Sequence, residues 1–305
     1  MKLSIIICTH NRAAILRECL ASLTCQTANA NDYEILIIDN NSNDDTKDVY
    51  DSLSNQLTNS RYIFESAQGL SYARNRGFKE ARSNWILYLD DDTKAFETFS
   101  ERAIYVTENY NFDCFGGVFL PWYKNGKPKW FPDHLVSNEH LSTETCALEN
   151  GYATGCVVAF KKSILIELGG FPASIGMSGN KVAYGEETLL QVKIRENGGT
   201  IGFDPELKIF HLVDNYKLTP IWFIKSAYAK GRDSWAGMNN QPTLAKVLFI
   251  PLSISRRAIK KIFLSTIALF NKNYYFQNWI IDVTSLLASG IGKFIKGLSL
   301  LIKAK

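Results

Sequence analysis

The sequence lacks the features that mark a secreted or disulfide-stabilised protein. Its six cysteines are scattered and form no CxxC pair: Cys8, Cys19, Cys25, Cys114, Cys146 and Cys156. Several stand in apolar runs, which is more typical of buried, reduced thiols in a cytosolic protein than of disulfides or zinc ligands. The apolar run Leu3–Cys8 is shorter than the hydrophobic region of a signal peptide, so we expect no such signal.

Internal repeats, low-complexity stretches and long uninterrupted apolar segments are also missing. The 305 residues are 46% hydrophobic and 21% charged, which is ordinary for a soluble protein with one large domain or two small ones. Three segments near the C-terminal end are apolar: Leu244–Ile254, Ile259–Phe270 and Trp279–Lys303. None offers the roughly twenty uninterrupted apolar residues that a membrane-spanning helix needs.

The net charge of +4 hides an asymmetry along the chain. Residues 241–305, which we call the basic tail, hold ten of the 34 Lys and Arg residues but only one of the 30 acids, Asp282. A basic, apolar segment on an acidic body indicates an anionic membrane surface rather than nucleic acid. We therefore predict amphipathic helices lying in the membrane interface, with a helical oligomerisation tail as the alternative.

Strands and helices alternate over the first part of the chain. Apolar, β-branched runs at Leu3–Cys8, Tyr33–Ile38, Arg61–Glu65 and Trp85–Leu89 are separated by amphipathic helical patterns. This alternation predicts a doubly wound α/β layer. Later strands are predicted at 115–120, 152–160, 200–203 and 207–212, and the polar stretch 176–184 is predicted to be a mobile loop.

Three consecutive aspartates, Asp90, Asp91 and Asp92, stand at the carboxyl end of the strand at Trp85–Leu89. Burying such carboxylates unpaired costs on the order of several kcal/mol, and a hard divalent cation such as Mg2+ or Mn2+ removes that cost. Open α/β sheets bind ligands outside the carboxyl ends of their strands. The triplet therefore predicts a cation that holds a diphosphate, although an acidic loop or a helix cap fits the same residues.

Several segments resemble the inverting family 2 glycosyltransferases with the GT-A fold. SIIICTHNR, EILIIDNNSNDDT, GLSYARNRGFKEAR and WILYLDDDT are similar to the nucleotide-sugar half of that family. GYATGCVVAFKKSILIELGGF resembles its acceptor-side segment, and YGEETLLQVKIRENGG resembles its acidic helix start. The resemblance spans roughly residues 3–235. It implies a Rossmann-like mixed sheet flanked by helices over 1–240, with donor half 1–95 and acceptor half 96–240, followed by the tail 241–305.

The resemblance implies a nucleoside site formed by Thr9, Asn11, Asp39 and Arg74. In this interpretation Asp39 accepts a hydrogen bond from the base, and Arg74 supports the base or a phosphate. For Asp39 the alternative is a cap on the next helix, and for Arg74 it is a solvated charge on a helix.

The same resemblance assigns roles to the residues around the cation. Asp91 would contact the ribose, Asp92 would bind the cation, and Asp90 would fix the donor-binding loop. His211 follows a strand, as a histidine does in many relatives, where it can face the cation and the diphosphate. A lone histidine is also common as a purely structural residue.

Glu186 and Glu187 open a predicted helix, where the positive end of the dipole favours ionised carboxylates. An inverting transfer is a single displacement that needs one base for the acceptor proton and a cation for the leaving diphosphate. In the family the second acidic position is usually Asp and supplies the base. This chain has Glu187 there, and two ordinary first-turn glutamates are the alternative.

Together these features predict a metal-dependent inverting glycosyltransferase that uses a nucleotide-diphospho-sugar. Its acceptor is expected to be lipid-linked or a glycan, and its location the inner face of the cell membrane, as a peripheral cytoplasmic protein. A catalytically degenerate scaffold is one alternative, because Glu replaces Asp in the base motif. A sugar nucleotidyltransferase is another, but THNRAAI lacks the glycine-rich GxGxRxxP-type loop of that class.

Overall fold

The computed structural model describes residues 1–57, 59–173, 185–235 and 242–303. The loop predicted at 176–184 therefore lies outside the described residues. The chain divides into two compact units. The first comprises Met1–Trp122, the described part of 136–180 and Glu186–Leu212, and the second is formed mainly by Tyr123–Leu135 and the described part of 213–305.

The first unit is built on a mixed sheet, which confirms the predicted α/β class. Within the described residues its nine strands follow the order β3-β2-β1-β4-β8-β6-β9-β5, with β7 beside β9. The first four are parallel, β8 is antiparallel to both neighbours, and β9 is parallel to β6. The strands are β1 (Leu3–Thr9), β2 (Tyr33–Asp39), β3 (Ser60–Phe64), β4 (Trp85–Asp90), β5 (Thr93–Ala95), β6 (Cys114–Trp122), β7 (Cys146–Ala147), β8 (Val157–Lys161) and β9 (Ile201–Leu212).

Helices cover both faces of the sheet, so the central strands are buried on both sides and are apolar throughout. Along β1, Ile5 and Ile7 join one core cluster together with Leu16 of helix α1. Ile6 points the other way and joins a second cluster with Ala73 of helix α3. The helices of this unit are α1 (Ala13–Leu23), α2 (Thr46–Leu53), α3 (Leu70–Glu80), α4 (Phe99–Asn109), α5 (Lys162–Glu167) and α6 (Glu186–Glu196).

The predicted strands differ from the structure in two places. The strand expected at 152–160 begins only at Val157, because the Ala153 backbone is hydrogen-bonded to the Gln191 side chain instead of to a neighbouring strand. The two strands expected at 200–203 and 207–212 are one strand, β9. The irregularity between them is a register shift opposite Gly117 and Val118, where a β-bulge locally disrupts the ladder.

Three helices dominate the second unit: α7 (Pro220–Asp233), α8 (Leu244–Ala268) and α9 (Phe276–Lys303). The two tail segments predicted at 244–254 and 259–270 form the single helix α8, which contains Pro251. A proline inside a helix removes one backbone hydrogen bond. The helix nevertheless continues, and Ala258 and Ser265 beyond the proline are buried.

Glycines allow α7 and α9 to pack with their backbones in direct contact. A Cβ atom added to Gly231 would overlap the Ser289 carbonyl oxygen, and one added to Gly292 would overlap that of Tyr228. Helices α8 and α9 are joined by a polar contact, in which Asp282 pairs with Lys261 at 3.0 Å. The only acid of the basic tail is therefore satisfied within the tail.

Helix α9 is the longest apolar helix in the part of the chain that the structure describes. Among the described residues it is the one helix, over Phe276–Ile302, whose length and composition would allow it to cross a membrane. Asp282, Lys293 and Lys296 interrupt its apolar sequence.

Candidate active site

The loops that follow β1 and β2 are hydrogen-bonded to one another. Asn11 adopts a left-handed backbone conformation with φ of 53°, which short polar side chains tolerate best among the non-glycine residues. Its N–H donates to the Ser42 hydroxyl at 2.9 Å, and its side-chain carbonyl accepts from the Asn43 N–H at 2.8 Å. The predicted nucleoside residue Asn11 is therefore held against the loop that carries Asp39.

Asp39 is buried at the end of β2 and already accepts two hydrogen bonds. One oxygen accepts from the Ser42 N–H at 2.9 Å, and the other accepts from the Tyr62 hydroxyl. Helix α2 begins at Thr46 after Asp45, so Asp39 braces the loop rather than capping that helix. The carboxylate is thus fixed in place at the edge where a ligand would bind.

The aspartate triplet is paired with side chains from the first loop. The Thr9 hydroxyl donates a hydrogen bond to Asp91 at 2.8 Å, while Arg12 contacts Asp91 at 2.6 Å and Asp92 at 3.0 Å. Burial raises the pKa of Asp91 to about 7, although the Arg12 guanidinium opposes that shift. Burial also raises the pKa of Asp90, against the pull of Arg74. Sequence reasoning did not single out Arg12, although it stands in the quoted THNR segment.

His211 is brought to the triplet by strand pairing. Strand β5 aligns Thr93 with His211 on β9, and the Leu212 N–H donates to the Asp92 carbonyl oxygen at 2.9 Å. The His211 Nε2 atom consequently lies 3.2 Å from an Asp92 carboxylate oxygen. Strand β5 was not predicted, because three residues of mixed character carry no periodic signal.

Arg74 is buried among the acidic residues rather than solvated on its helix. Only 4% of its side chain is exposed, and it lies 2.8 Å from Glu186, 3.8 Å from Glu187 and 3.6 Å from Asp90. Its guanidinium also lies near the rings of Tyr88 and Phe171. The position links the start of α6 to the aspartate triplet, a connection that sequence spacing does not reveal.

The two glutamates at the start of α6 differ in accessibility. Glu186 is the more deeply buried and forms the closer ion pair with Arg74, whereas 18% of the Glu187 side chain is exposed. Burial and the neighbouring Glu186 raise the pKa of Glu187 to about 7, with Arg74 opposing. Of the two, Glu187 is therefore the better placed to accept a proton near neutral pH.

Gly155 and Gln191 shape the space around Glu187, and sequence reasoning missed both. A Cβ atom at Gly155 would lie 3.0 Å from the Glu187 carboxylate, closer than most carbon contacts allow. Gln191 fixes the adjacent segment through two hydrogen bonds to the Ala153 backbone, of 2.7 and 3.0 Å. Gly155 stands in the GYATGC segment quoted above, and that segment is the one feature of the sequence that could have indicated its role.

The aspartate triplet and His211 together fit a divalent cation. Asp90, Asp92 and His211 can each offer one ligand atom, and these atoms lie within 4.8 Å of one another. The carboxylates of the triplet and of the two glutamates outnumber the guanidinium groups of Arg12 and Arg74 that contact them. Carboxylate oxygen ligands with an excess of negative charge suit Mg2+ or Mn2+.

Comparisons with known proteins agree with this geometry. The chain is 24% identical over 251 residues to the glucosyl-dolichyl phosphate glucuronosyltransferase of Haloferax volcanii, covering 76% of this chain and 75% of that protein. It is 32% identical over 170 residues to the GalNAc(5)-diNAcBac-PP-undecaprenol beta-1,3-glucosyltransferase of Campylobacter jejuni, covering 54% of this chain and 53% of that protein. It therefore spans about half the length of the Campylobacter enzyme.

The fold is also that of solved glycosyltransferases. The mannosyltransferase PcManGT of Pyrobaculum calidifontis, solved with GDP-Man and Mn2+, matches with a TM-score of 0.66 at 16% identity, over 96% of this chain and 86% of that chain. The family model for glycosyl transferase family 2 matches residues 4–169, more than half of the sequence. The chain therefore belongs to glycosyl transferase family 2 and is a glycosyltransferase with the GT-A fold.

Proposed function

We propose that this glycosyltransferase works with inversion, moving a sugar from a nucleotide-diphospho-sugar to an acceptor in one displacement. The observation that carries the proposal is the position of Arg74, which contacts both Asp90 of the triplet and the glutamates of α6. A group that binds the donor and a group that can act as base are thereby held in one cluster. A single displacement needs both groups at the same reacting carbon.

The donor nucleotide is assigned to the loops after β1 and β2. Asp39 and Asn11 would contact the nucleoside, while Thr9 orients Asp91 toward the ribose through its 2.8 Å hydrogen bond. Arg74 keeps its predicted role toward the base or phosphate, and its buried ion pairs add a positioning role toward Glu186 and Glu187. These carboxylates and amides are fixed before the donor arrives, which reduces the entropy lost on binding.

A divalent cation, Mg2+ or Mn2+, fits beside the donor. Asp92 and His211 would hold it, and Asp90 would contribute a further oxygen. When bound, the cation neutralises the negative charge of the leaving diphosphate. The protein's own part is to keep these ligand atoms together, which it does through the pairing of β5 with β9.

Glu187 is the proposed base. Its carboxylate would take the proton of the acceptor hydroxyl as the new glycosidic bond forms, while Arg74, which is also paired with Glu186, holds it in place. Gly155 leaves room at this carboxylate, since a side chain there would press against it. A base whose pKa is near 7 balances availability and strength at neutral pH.

The acceptor is proposed to be lipid-linked or a glycan. The two relatives described above are named for sugars on undecaprenol and dolichyl phosphate carriers. Such carriers reside in membranes, and the basic tail of this chain exposes many apolar side chains. A lipid-linked acceptor is consistent with both observations.

The proposed function is tested by a donor screen. UDP-, GDP- and dTDP-sugars are offered with Mn2+, with Mg2+ or with EDTA, while thermal unfolding and nucleotide release are recorded. One donor class is expected to stabilise the protein only when the cation is present, by about 2.7 kcal/mol at a hundred times its Kd. Stabilisation that is equal with EDTA, or absent for all three classes, would contradict the proposal.

We further propose that the basic tail docks on the inner face of the cell membrane. Large apolar side chains on α8 are exposed, among them Phe249, Ile259, Phe263 and Leu264. Arg256, Arg257 and Lys260 are exposed on the same helix. Each basic residue near an anionic surface contributes about 1 kcal/mol to the free energy of membrane binding. Apolar side chains that enter the membrane add a further contribution, which salt does not screen.

Binding to vesicles tests the membrane proposal. Ile259→Ser with Phe263→Ser is expected to abolish flotation with phosphatidylglycerol vesicles, whereas Arg256→Gln with Arg257→Gln should weaken flotation mainly at low salt. Ile166→Ser, which changes an exposed apolar residue of the first unit, is the matched control. Full-length protein that ignores anionic vesicles would contradict docking. Protein that stays in the bilayer after carbonate extraction would instead indicate that α9 spans the membrane.

A further inference from the structure

Arg12 contacts Asp92, a carboxylate on which the proposed cation depends, and the neighbouring Asp91. Its two terminal nitrogens contact two different aspartates, Asp91 at 2.6 Å and Asp92 at 3.0 Å. Both carboxylates are buried, with 5% and 8% of their side chains exposed, whereas the Arg12 side chain is 35% exposed. A guanidinium that pairs with two carboxylates forms charge-assisted hydrogen bonds, which are stronger than neutral ones.

The backbone of Arg12 is fixed, so only its side chain is able to change partners. Arg12 directly precedes helix α1, and its carbonyl oxygen accepts from Ile15 at 3.0 Å and from Leu16 at 2.9 Å. The next residue, Ala13, donates its N–H to Asp44 at 2.9 Å. The anchor is therefore rigid, while the exposed end of the side chain reaches across to the triplet.

A cation at Asp92 and the guanidinium of Arg12 compete for the same negative charge. Asp92 contacts His211 through one carboxylate oxygen and Arg12 through the other. A divalent cation held by Asp92 and His211 would stand beside the Arg12 guanidinium, and the two positive charges would repel each other. Arg12 must then weaken its contact with Asp92, or the cation binds less tightly.

We propose that the Arg12 side chain competes with the divalent cation for Asp92 and thereby keeps the metal affinity of the free enzyme low. This inference rests on the proposed cation site at Asp92 and His211. Arginine also pairs well with phosphate groups, so the diphosphate of an incoming donor offers Arg12 another partner. Firm cation binding would therefore accompany donor binding rather than precede it.

Titration with Mn2+ alone, followed by electron paramagnetic resonance of the free ion at constant ionic strength, tests the inference. Arg12→Gln is expected to tighten Mn2+ binding about tenfold, because it removes one positive charge from the carboxylate pair. Arg12→Lys should tighten Mn2+ binding less than Arg12→Gln does, because it keeps the positive charge. Arg17→Gln on helix α1 is the matched control, since Arg17 contacts Ser52 rather than the triplet, and it should change nothing.

Two outcomes separate this inference from the proposed function. If Arg12→Gln binds Mn2+ no more tightly than wild type while Asp92→Asn loses binding, the cation site stands and Arg12 is not its competitor. If Asp92→Asn binds Mn2+ as well as wild type, the proposed cation site itself is wrong, and the inference falls with it. Thermal unfolding of each variant shows whether it is folded, and Arg12→Met, which also removes the positive charge, takes the place of Arg12→Gln if that variant is unstable.

Discussion

Replacing Glu187 with glutamine is expected to lower kcat by about a hundredfold or more while leaving donor affinity nearly unchanged. Glutamine keeps the shape of the side chain but cannot accept the proton of the acceptor hydroxyl. Glu187 lies at the start of α6, where 18% of its side chain is exposed and Arg74 is 3.8 Å away. Steady-state kinetics with the donor found in the screen, together with donor titration, separate the loss in kcat from any loss in binding.

The pH dependence of turnover checks the same assignment. Burial raises the pKa of Glu187 to about 7, so below that pH the carboxyl is mostly protonated and unavailable as a base. We expect kcat to rise with pH by about tenfold per unit below pH 7 and to level off above it. Glu187→Gln should lose this rise along with most of the activity.

Glu186→Gln is the matched control for Glu187. Glu186 is buried and bonded to Arg74 at 2.8 Å, so its loss should cost less turnover than the loss of Glu187. If Glu186→Gln loses more turnover than Glu187→Gln, Glu186 is the base instead of Glu187. If both variants keep wild-type activity, neither glutamate is the base.

Replacing Asp92 with alanine is expected to abolish Mn2+- or Mg2+-dependent binding of the nucleotide sugar. Asp92 is buried and faces His211 at 3.2 Å, so the change removes a ligand from the centre of the proposed cation site. The fold should persist, because the Asp92 backbone still accepts from the Leu212 N–H. Calorimetric titration with donor, in the presence of the cation and then of EDTA, measures the effect.

Asp51→Ala provides the comparison for Asp92→Ala. Asp51 is an exposed aspartate of α2 that pairs with Lys47 one helical turn away. Its removal changes the net charge by the same amount without touching the triplet. Donor affinity that is equally low in both variants would point to a general charge effect, and cation-dependent binding retained by Asp92→Ala would rule out Asp92 as a ligand.

The donor half was predictable because its signals are local. A run such as Leu3–Cys8, apolar at every position, identifies a strand buried on both faces, and the structure places β1 at Leu3–Thr9. The aspartate triplet follows directly from the end of such a strand. A strand that is buried on both faces must be apolar at every position, so this local sequence pattern is enough to predict it.

The remaining features depend on contacts between distant residues. Arg74 and Glu186 are 112 positions apart, and nothing in the residues around either one indicates their ion pair. Strand β5 exists because β9 lies beside it, since Thr93–Ala95 has no strand pattern of its own. Helix α8 passes through Pro251 because Ala258 and Ser265 beyond it are buried, which outweighs the local preference for a break.

The position of β6 between β8 and β9 limits how the chain can be shortened. The family model ends at residue 169, before β9, so a fragment cut there would keep the aspartate triplet but lose His211 and both glutamates of α6. It would also leave one side of β6 without its partner strand, although Cys114–Val118 are buried in the full chain. A long apolar edge of this kind recruits strands from other molecules. The segment that defines the family is thus expected to aggregate when it is produced alone.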